Sequence, residues 1–412
     1  MRTRLDHLVT SALQHGSAVP AFTCYDFTTA MAVVAAAEEA GRGAILLVAP
    51  KTAATPNGLR LIGALRGLAD AASVPVAVQL DHATDLQVMA DAVAAGADSV
   101  LADGSALPYE DNIALVREAR ALLGPDVVLE AELGGLPGDE DRAFGADQSG
   151  VAVAGLTDSA LVEDFVSRTG AELLAVAVGN VHGKYKGEPQ LRWDVLQDIA
   201  VRTHIPLVLH GASGIPAEEL VKAAAMNVGK VNFNTELRTG VLATLQDQLP
   251  GHRSDGENLQ GLLGHWNSSA RAFGADQSGV AVAGLTDSGL VEDFVSRTGA
   301  ELLAVAVGNV HGKYKGEPQL RWDVLQDIAV RTHIPLVLHG ASGIPAEELV
   351  KAAAMNVGKV NFNTELRTGV LATLQDQLPG HRSDGENLRG LLGHWNSSAR
   401  TFAAQTLATL TR

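Results

Sequence analysis

Short apolar runs alternate with amphipathic stretches along the first 140 residues of the chain. The runs have the length of buried strands, and they predict strands at residues 18–22, 44–49, 74–80, 99–102 and 127–132. Helical spacing of the apolar residues between them predicts helices at residues 28–40, 59–72, 86–95 and 109–123. Repeated strand–helix units with nearly continuous apolar strands indicate a parallel sheet that is covered by helices.

The same alternation continues to residue 248. It predicts strands at residues 173–178, 207–209 and 230–234, and helices at residues 156–168, 193–202, 217–226 and 237–248. Eight strand–helix units in about 240 residues are typical of a (β/α)8 TIM barrel, an α/β fold. An open, doubly wound sheet is the alternative. No GxGxxG motif follows the first strand, which makes that alternative less favoured.

The sequence then repeats itself. Residues 142–271 match residues 271–400 at an offset of 129, with two differences, Ala160 against Gly289 and Gln260 against Arg389. Each copy holds three strand–helix units, so the second copy is a duplicated partial barrel. We therefore predict a barrel domain at 1–271 and, at 272–412, a near-identical duplicate of 143–271 followed by a C-terminal tail. A recent duplication or an assembly artefact explains the repeat most simply, and a selected function of the second copy is the alternative.

Either copy has the strands that would complete the barrel. We expect the first copy to do so, because its strands continue directly from strand five. The reverse arrangement requires a longer loop, which costs only on the order of 1 kcal/mol more. The remaining copy would be a three-strand fragment with open sheet edges, available for exchange between chains in a swapped dimer.

Composition and charge narrow the class of protein. The net charge of −16 argues against nucleic acid or an anionic membrane as a partner. Cys24 is the only cysteine, which excludes a disulfide framework and a cysteine-based zinc site. The N-terminus does not resemble a signal peptide, and no apolar run is long enough to span a membrane. We expect a soluble, cytoplasmic protein.

Several predicted strands end in residues that can bind metal. Strand three ends at Asp81 and His82, strand six runs into His182, and strand seven ends at His210. The carboxyl ends of barrel strands open onto one face, and three histidines are the ligand count of a catalytic zinc site. Zinc would polarise a carbonyl, and Asp81 could exchange a proton with a substrate. A lone histidine at a strand end is more often a hydrogen-bonded structural residue, but three together favour metal.

Further polar residues lie at the same strand ends. Strand five carries Glu130 and Glu132, and Asp103 ends strand four. Either a metal or a hydrogen-bonding role fits Glu132 and Asp103. The turns at 210–214 and 232–235 follow strands seven and eight, where backbone N–H groups and hydroxyls can hold a phosphate. The alternative for these turns is a pair of tight turns with helix caps.

Five motifs in order carry a family resemblance: QLDHATD, EAELGG, GNVHGKYKGEP, LVLHGASG and KVNFNTEL. Together they resemble class II, metal-dependent fructose-bisphosphate and tagatose-bisphosphate aldolases over roughly residues 5–263. The resemblance implies a (β/α)8 barrel fold and assembly into a homo-oligomer. It also implies a role in carbohydrate metabolism, such as glycolysis. It also implies reversible aldol cleavage of a ketose 1,6-bisphosphate, without a choice between fructose and tagatose. A metal-dependent hydrolase on the same barrel and an inactive duplicated remnant remain alternatives.

The resemblance also assigns roles to residues. It implies zinc ligands at His82, His182 and His210, an acid/base role for Asp81, and auxiliary positions for a second, divalent or monovalent cation at Asp103 and Glu132. In the family, a loop glutamate transfers the proton at the nucleophilic carbon of the substrate, and it matches Glu140 here. The implied positions for the phosphorylated sugar substrate are Gly183, Gly211, Ala212, Ser213, Asn232, Phe233, Asn234 and Thr235. The second copy repeats His311 and His339 but has no second Asp81, His82 or Glu140, so one chain holds one complete site.

Overall fold

Eight parallel strands close into a barrel in sequence order. The computed structural model describes residues 3–136, 155–183, 185, 188–254, 259–271, 285–309 and 317–410. The barrel strands in that part of the chain are β1 Val19–Thr23, β2 Ala44–Val48, β3 Val76–Ala83, β4 Ser99–Ala102, β5 Val128–Leu133, β6 Leu173–Val176, β7 Leu207–Leu209 and β8 Val228–Phe233. Pairing of β1 with β8, from Val19 opposite Lys230 to Phe22 opposite Phe233, closes the sheet. The (β/α)8 prediction is confirmed.

Helices connect and surround the strands. The helices up to the end of the first copy are α1 Leu5–Gln14, α2 Phe27–Ala40, α3 Pro50–Ala53, α4 Pro56–Ala71, α5 Leu86–Ala95, α6 Tyr109–Leu123, α7 Val162–Thr169, α8 Trp193–Ala200, α9 Ala217–Ala224, α10 Thr235–Ser254 and α11 Leu259–Arg271. Side-chain caps start several of them: Asp26 accepts a hydrogen bond from the Thr29 N–H, and Asp85 accepts from Gln87 and Val88. Gly41 ends α2 in the left-handed conformation, which glycine adopts without steric cost.

Two apolar layers hold the barrel together. Between strands and helices lies the larger one, which includes Leu46, Val78 and Leu129. The smaller layer lies around α1, whose residues Leu5 and Val9 pack with inward-facing strand residues. Gly229 on β8 makes this packing possible, because a Cβ there would lie 2.5 Å from Val9 Cγ1. The N-terminal helix therefore packs on the barrel interior, which leaves the carboxyl ends of the strands for a site.

The chain divides into two compact units. The first comprises Met1–Asp247, Leu263–Gly274 and Pro379–Gly390, and the second comprises Gln248–Leu262, Ala275–Leu378 and Leu391–Arg412. The barrel belongs to the first unit, and its strands β6–β8 come from the first copy of the repeat. The predicted domain boundary at residue 271 stays a prediction.

The second copy forms a three-stranded parallel sheet of order β11–β10–β9. Its strands are β9 Leu303–Val305, β10 Leu336–Leu338 and β11 Val357–Val360, and the helices that follow the first copy are α12 Val291–Thr298, α13 Trp322–Ala329, α14 Ala346–Ala353, α15 Thr364–Ser383 and α16 Leu388–Leu410. Equivalent residues differ in exposure between the copies: Phe165 is fully buried, whereas Phe294 is 52% exposed. No helix in the described residues is long and apolar enough to cross a membrane.

Candidate active site

Three histidines predicted as metal ligands lie together at the carboxyl ends of the barrel strands. One ring nitrogen from each of His82, His182 and His210 lies within 4.8 Å of the other two. The ring centroid of His82 is 5.1 Å from that of His182 and 4.6 Å from that of His210. His182 and His210 are buried and His82 is partly exposed. The structure therefore brings together residues that are 100 and 28 positions apart in the sequence.

An acidic neighbour fixes the ring of His82. His82 sits in a bulge of β3 with a φ of +44°, a backbone conformation that is strained for residues other than glycine. His82 Nδ1 lies 2.7 Å from Asp103 Oδ2. Burial alone would raise the pKa of Asp103, but hydrogen bonds from His82 and Ser105 and the charge of His82 hold it well below its usual value. Because an ionised carboxylate only accepts, His82 donates from Nδ1, and its Nε2 is the nitrogen that faces His210.

His210 is held in the same manner by a different carboxylate. His210 Nε2 lies 2.9 Å from Glu130 Oε1, and both side chains are fully buried. Burial and then the charge of His82 lower the pKa of His210 to about 4. Burial would raise the pKa of Glu130, but Lys230 and His210 outweigh it and bring that pKa to about 2. His210 is therefore a neutral imidazole that donates from Nε2 and presents Nδ1 as a lone pair.

This arrangement fits a bound cation. His82 Nε2 and His210 Nδ1 face each other at 2.7 Å, and the hydrogen bonds to Asp103 and Glu130 use the other nitrogen of each ring. At this distance a proton on His82 Nε2 bridges the two nitrogens, and a metal ion in place of that proton would bind both lone pairs. Glu132 approaches both rings, with its Oε2 3.6 Å from His82 Nδ1 and 3.9 Å from His210 Nδ1. Imidazole nitrogen with carboxylate oxygen is a donor set that zinc accepts.

The auxiliary metal positions also meet. His82, Asp103 and Glu132 form a second group whose potential ligand atoms lie within 4.8 Å of one another. In the structure Asp103 and Glu132 both approach His82 Nδ1, which makes them orienting partners of that ring as well as possible ligands.

Asp81 lies on β3 beside the histidines. Its side chain is 1% exposed, and Asn232 Nδ2 donates to Asp81 Oδ2 at 3.4 Å. Asn232 Oδ1 is buried, and no donor among the described residues reaches it. Asn180 Nδ2 donates to the His210 backbone carbonyl at 3.0 Å, which ties the turn after β6 to the end of β7. Asp81 and Asn232 thus form a polar pair next to the candidate metal ligands.

A polar cavity adjoins His182. It is lined by Thr23, His182, Gly183, Gly211, Ser213, Asn232, Asn234 and Thr235. Six of the eight predicted substrate positions are in this lining. The two others point elsewhere: the Ala212 side chain belongs to the apolar core, and the Phe233 ring stacks on Phe22 with centroids 5.7 Å apart. Thr23 also lines the cavity but was not predicted as a site residue. It is the last residue of β1 and so lies at the same face as the other strand ends.

The turns around the cavity present backbone N–H groups and hydroxyls. Thr235 is the first residue of α10, so the N-terminus of a 20-residue helix borders the cavity. The Ser213 hydroxyl accepts from the Glu236 N–H at 3.4 Å, and the Glu236 carboxylate accepts from the Gly214 N–H at 3.0 Å. Gly211 has a φ of +58°, and a Cβ there would lie 2.0 Å from the Val181 carbonyl oxygen. This close approach requires glycine.

Some predicted residues cannot be placed in the cluster. Glu140 and His311 lie outside the described residues. His339, the counterpart of His210, lies in the second unit, where Asn361 Nδ2 is 3.3 Å from both of its ring nitrogens. Ser342 Oγ accepts from the Thr364 N–H at 3.1 Å, so the turn after β10 resembles the turn after β7.

Comparisons with known proteins point to one family. The family described as "Fructose-bisphosphate aldolase class-II" matches residues 3–272 and matches again over residues 263–411. The D-tagatose-1,6-bisphosphate aldolase subunit GatY of Klebsiella oxytoca is 39% identical over 233 residues, which are 56% of this chain and 81% of that protein. The crystal structure of the YdjI aldolase of Escherichia coli K12 has a TM-score of 0.56 at 26% identity, over 66% of this chain and 94% of that one.

A more distant structure shows the fold alone. The fructose-bisphosphate aldolase of Campylobacter jejuni is 21% identical, with a TM-score of 0.53 over 65% of this chain and 91% of that one.

Proposed function

The chain belongs to the class II fructose-bisphosphate aldolase family and is a carbon–carbon lyase, and from this premise we propose that it binds zinc and cleaves a ketose 1,6-bisphosphate reversibly. The products are dihydroxyacetone phosphate and glyceraldehyde 3-phosphate, and the sugar is fructose or tagatose bisphosphate. The observation that carries the proposal is the pair of facing ring nitrogens of His82 and His210, which lies beside a cavity bordered by a helix N-terminus.

The proposed zinc ligands are His82, His182 and His210. A bound zinc ion would polarise the substrate carbonyl and stabilise the negative charge that develops as the carbon–carbon bond breaks. Asp103 and Glu130 each accept a hydrogen bond from one of these rings, which fixes the ring orientation and raises the basicity of the nitrogen that binds metal. Asp103 and Glu132 are the proposed ligands of a second cation.

Asp81 is the proposed acid/base group. In the cleavage direction the bond between C3 and C4 of the sugar breaks, and the proton of the C4 hydroxyl moves to a base as the aldehyde forms. Asp81 is buried beside His82, and Asn232 holds one of its oxygens, so a carboxylate oxygen stands next to the metal ligands. A proton must also return to C3, and we assign this transfer to Glu140.

The cavity turns are the proposed phosphate site. Ser213 and Thr235 supply hydroxyls, Gly183 and Gly211 supply backbone, and the N-terminus of α10 favours negative charge. Asn232 Oδ1 needs a donor, and a substrate hydroxyl supplies one. These features accept a phosphorylated sugar although the whole chain is acidic, with a net charge of −16.

An assay of both sugars with metal analysis tests the proposal. We expect cleavage of fructose or tagatose 1,6-bisphosphate that is abolished by a chelator, restored by zinc, and unaffected by borohydride with substrate. A metal-dependent hydrolase would instead release inorganic phosphate. Zinc-loaded, folded protein that cleaves neither sugar would contradict the proposal.

A further inference from the structure

A buried polar network lies behind His210. Glu130 on β5 accepts from His210 through Oε1, and its second oxygen, Oε2, lies 2.6 Å from Lys230 Nζ and 2.8 Å from Gln79 Nε2. Gln79 comes from β3 and Lys230 from β8, so three strands of the barrel and the residue that follows β7 contribute to the network. All four side chains have zero exposure.

Stability alone does not account for this network. A buried ion pair loses the hydration of both charges, and apolar residues of similar volume often stabilise a fold as well or better. Toward α1 the interior of the same barrel is packed with apolar residues such as Ala77, Val128 and Val208. A chain that needed only a packed interior would have no use for an ammonium and a carboxylate at these positions.

The geometry points to a positioning role. Both oxygens of Glu130 are engaged, so the carboxylate cannot rotate away from His210 without breaking contacts to Lys230 or Gln79. The His210 ring is then fixed with Nε2 toward Glu130 and Nδ1 toward His82. We propose that Lys230 and Gln79 are positioning residues that hold Glu130, and through it the His210 ring, in the one orientation that presents Nδ1 to the metal. This inference rests on the proposed metal centre.

The second copy provides a comparison within the same chain. His339 and Lys359 repeat the local sequence of His210 and Lys230, but the repeat begins after β5 and so contains no counterpart of Glu130 or Gln79. Lys359 is exposed, and Asn361 Nδ2 lies 3.3 Å from the ring nitrogens of His339. Identical local sequence therefore gives two different histidine environments, and Lys359 is a matched control for Lys230.

Zinc affinity of the full-length chain tests the role of Lys230. Competition with a chromophoric chelator measures the zinc dissociation constant of the wild type, Lys230→Met and Lys359→Met. We expect Lys230→Met to weaken zinc binding about 10- to 100-fold, the usual effect of losing an outer partner of a metal-binding histidine. Lys359→Met should leave the constant unchanged. Wild-type zinc affinity in folded Lys230→Met would overturn the inference.

A second variant removes the risk that one unpaired buried charge unfolds the protein. Glu130→Gln/Lys230→Met takes away both charges and nearly preserves volume. In the folded double variant we expect the same weakening of zinc binding, and an altered visible spectrum of the cobalt-substituted protein, because the ring is no longer held. Unchanged affinity and spectrum would overturn the inference. A wild-type chain that binds no zinc would instead overturn the proposed metal centre, and the inference with it.

Discussion

At the scale of single residues, carboxylates decide which nitrogen each histidine presents. Asp103 binds Nδ1 of His82, whereas Glu130 binds Nε2 of His210, so the two rings expose opposite nitrogens toward the same point. Sequence predicts the histidines, because each follows an apolar run at a strand end. It does not predict their tautomers, since Glu130 lies 80 positions before His210 and the contact depends on barrel closure.

Acid should destabilise the metal-free protein through His210. Its pKa in the folded state, about 4, lies below its ordinary value of 6.5, so the unfolded chain binds the proton more tightly. The free energy of unfolding should therefore fall as pH drops from 6.5 to 4, by on the order of 3 kcal/mol from this residue. Glu130, with a pKa of about 2 against 4.5, extends the loss from pH 4.5 down to 2.

Urea unfolding of the chelator-treated chain at pH 7, 5.5 and 4.5 measures this loss. His210→Gln, which removes the titrating group, should flatten the pH dependence between 6.5 and 4. His339→Gln in the second copy is the matched control and should keep the wild-type profile. Equal slopes in the wild type and His210→Gln would show that His210 does not cause the effect.

At the scale of elements, the two copies show how far surroundings outweigh sequence. Helices α7 and α12 have the same sequence, but α7 packs against α6, where Tyr109 and Phe165 have ring centroids 6.0 Å apart. Arg168 of α7 pairs with Glu110 of α6. Phe294 and Arg297, the equivalent residues of α12, are exposed. Helix periodicity predicts that both helices form, but it does not predict which of them has its apolar face buried by a neighbouring helix.

Truncation of the equivalent phenylalanines should therefore have unequal costs. Phe165→Ala opens a cavity in the buried layer and should lower the free energy of unfolding of the barrel by about 3–5 kcal/mol. Phe294→Ala changes an exposed side chain and should cost less than about 1 kcal/mol. Denaturant titrations in which unfolding is monitored by the loss of aldolase activity compare the two variants. Similar losses in the two variants, or a larger loss in Phe294→Ala, would contradict this difference in packing.

At the scale of the whole molecule, the sequence predicts the eight-strand barrel and the meeting of its strand ends. These follow from local periodicity and from the rule that parallel strands open their carboxyl ends onto one face. We expected the first copy to supply β6–β8 only because it continues directly from β5. The two nearly identical copies offer the barrel the same contacts, so sequence gives no other reason to choose between them. The partnership of Lys230 with Glu130 was missed, although a lysine between the strand residues Val228 and Val231 signals a buried acidic partner.

The central claim is that His82, His182 and the first-copy His210 form one zinc site in each chain. Elemental analysis of zinc per chain in the wild type, His210→Ala and His339→Ala tests it most directly, because the two variants alter the same motif in the two copies. We expect one zinc ion in the wild type and in His339→Ala, and none in His210→Ala. Zinc retained by His210→Ala, or lost from His339→Ala, would contradict the account.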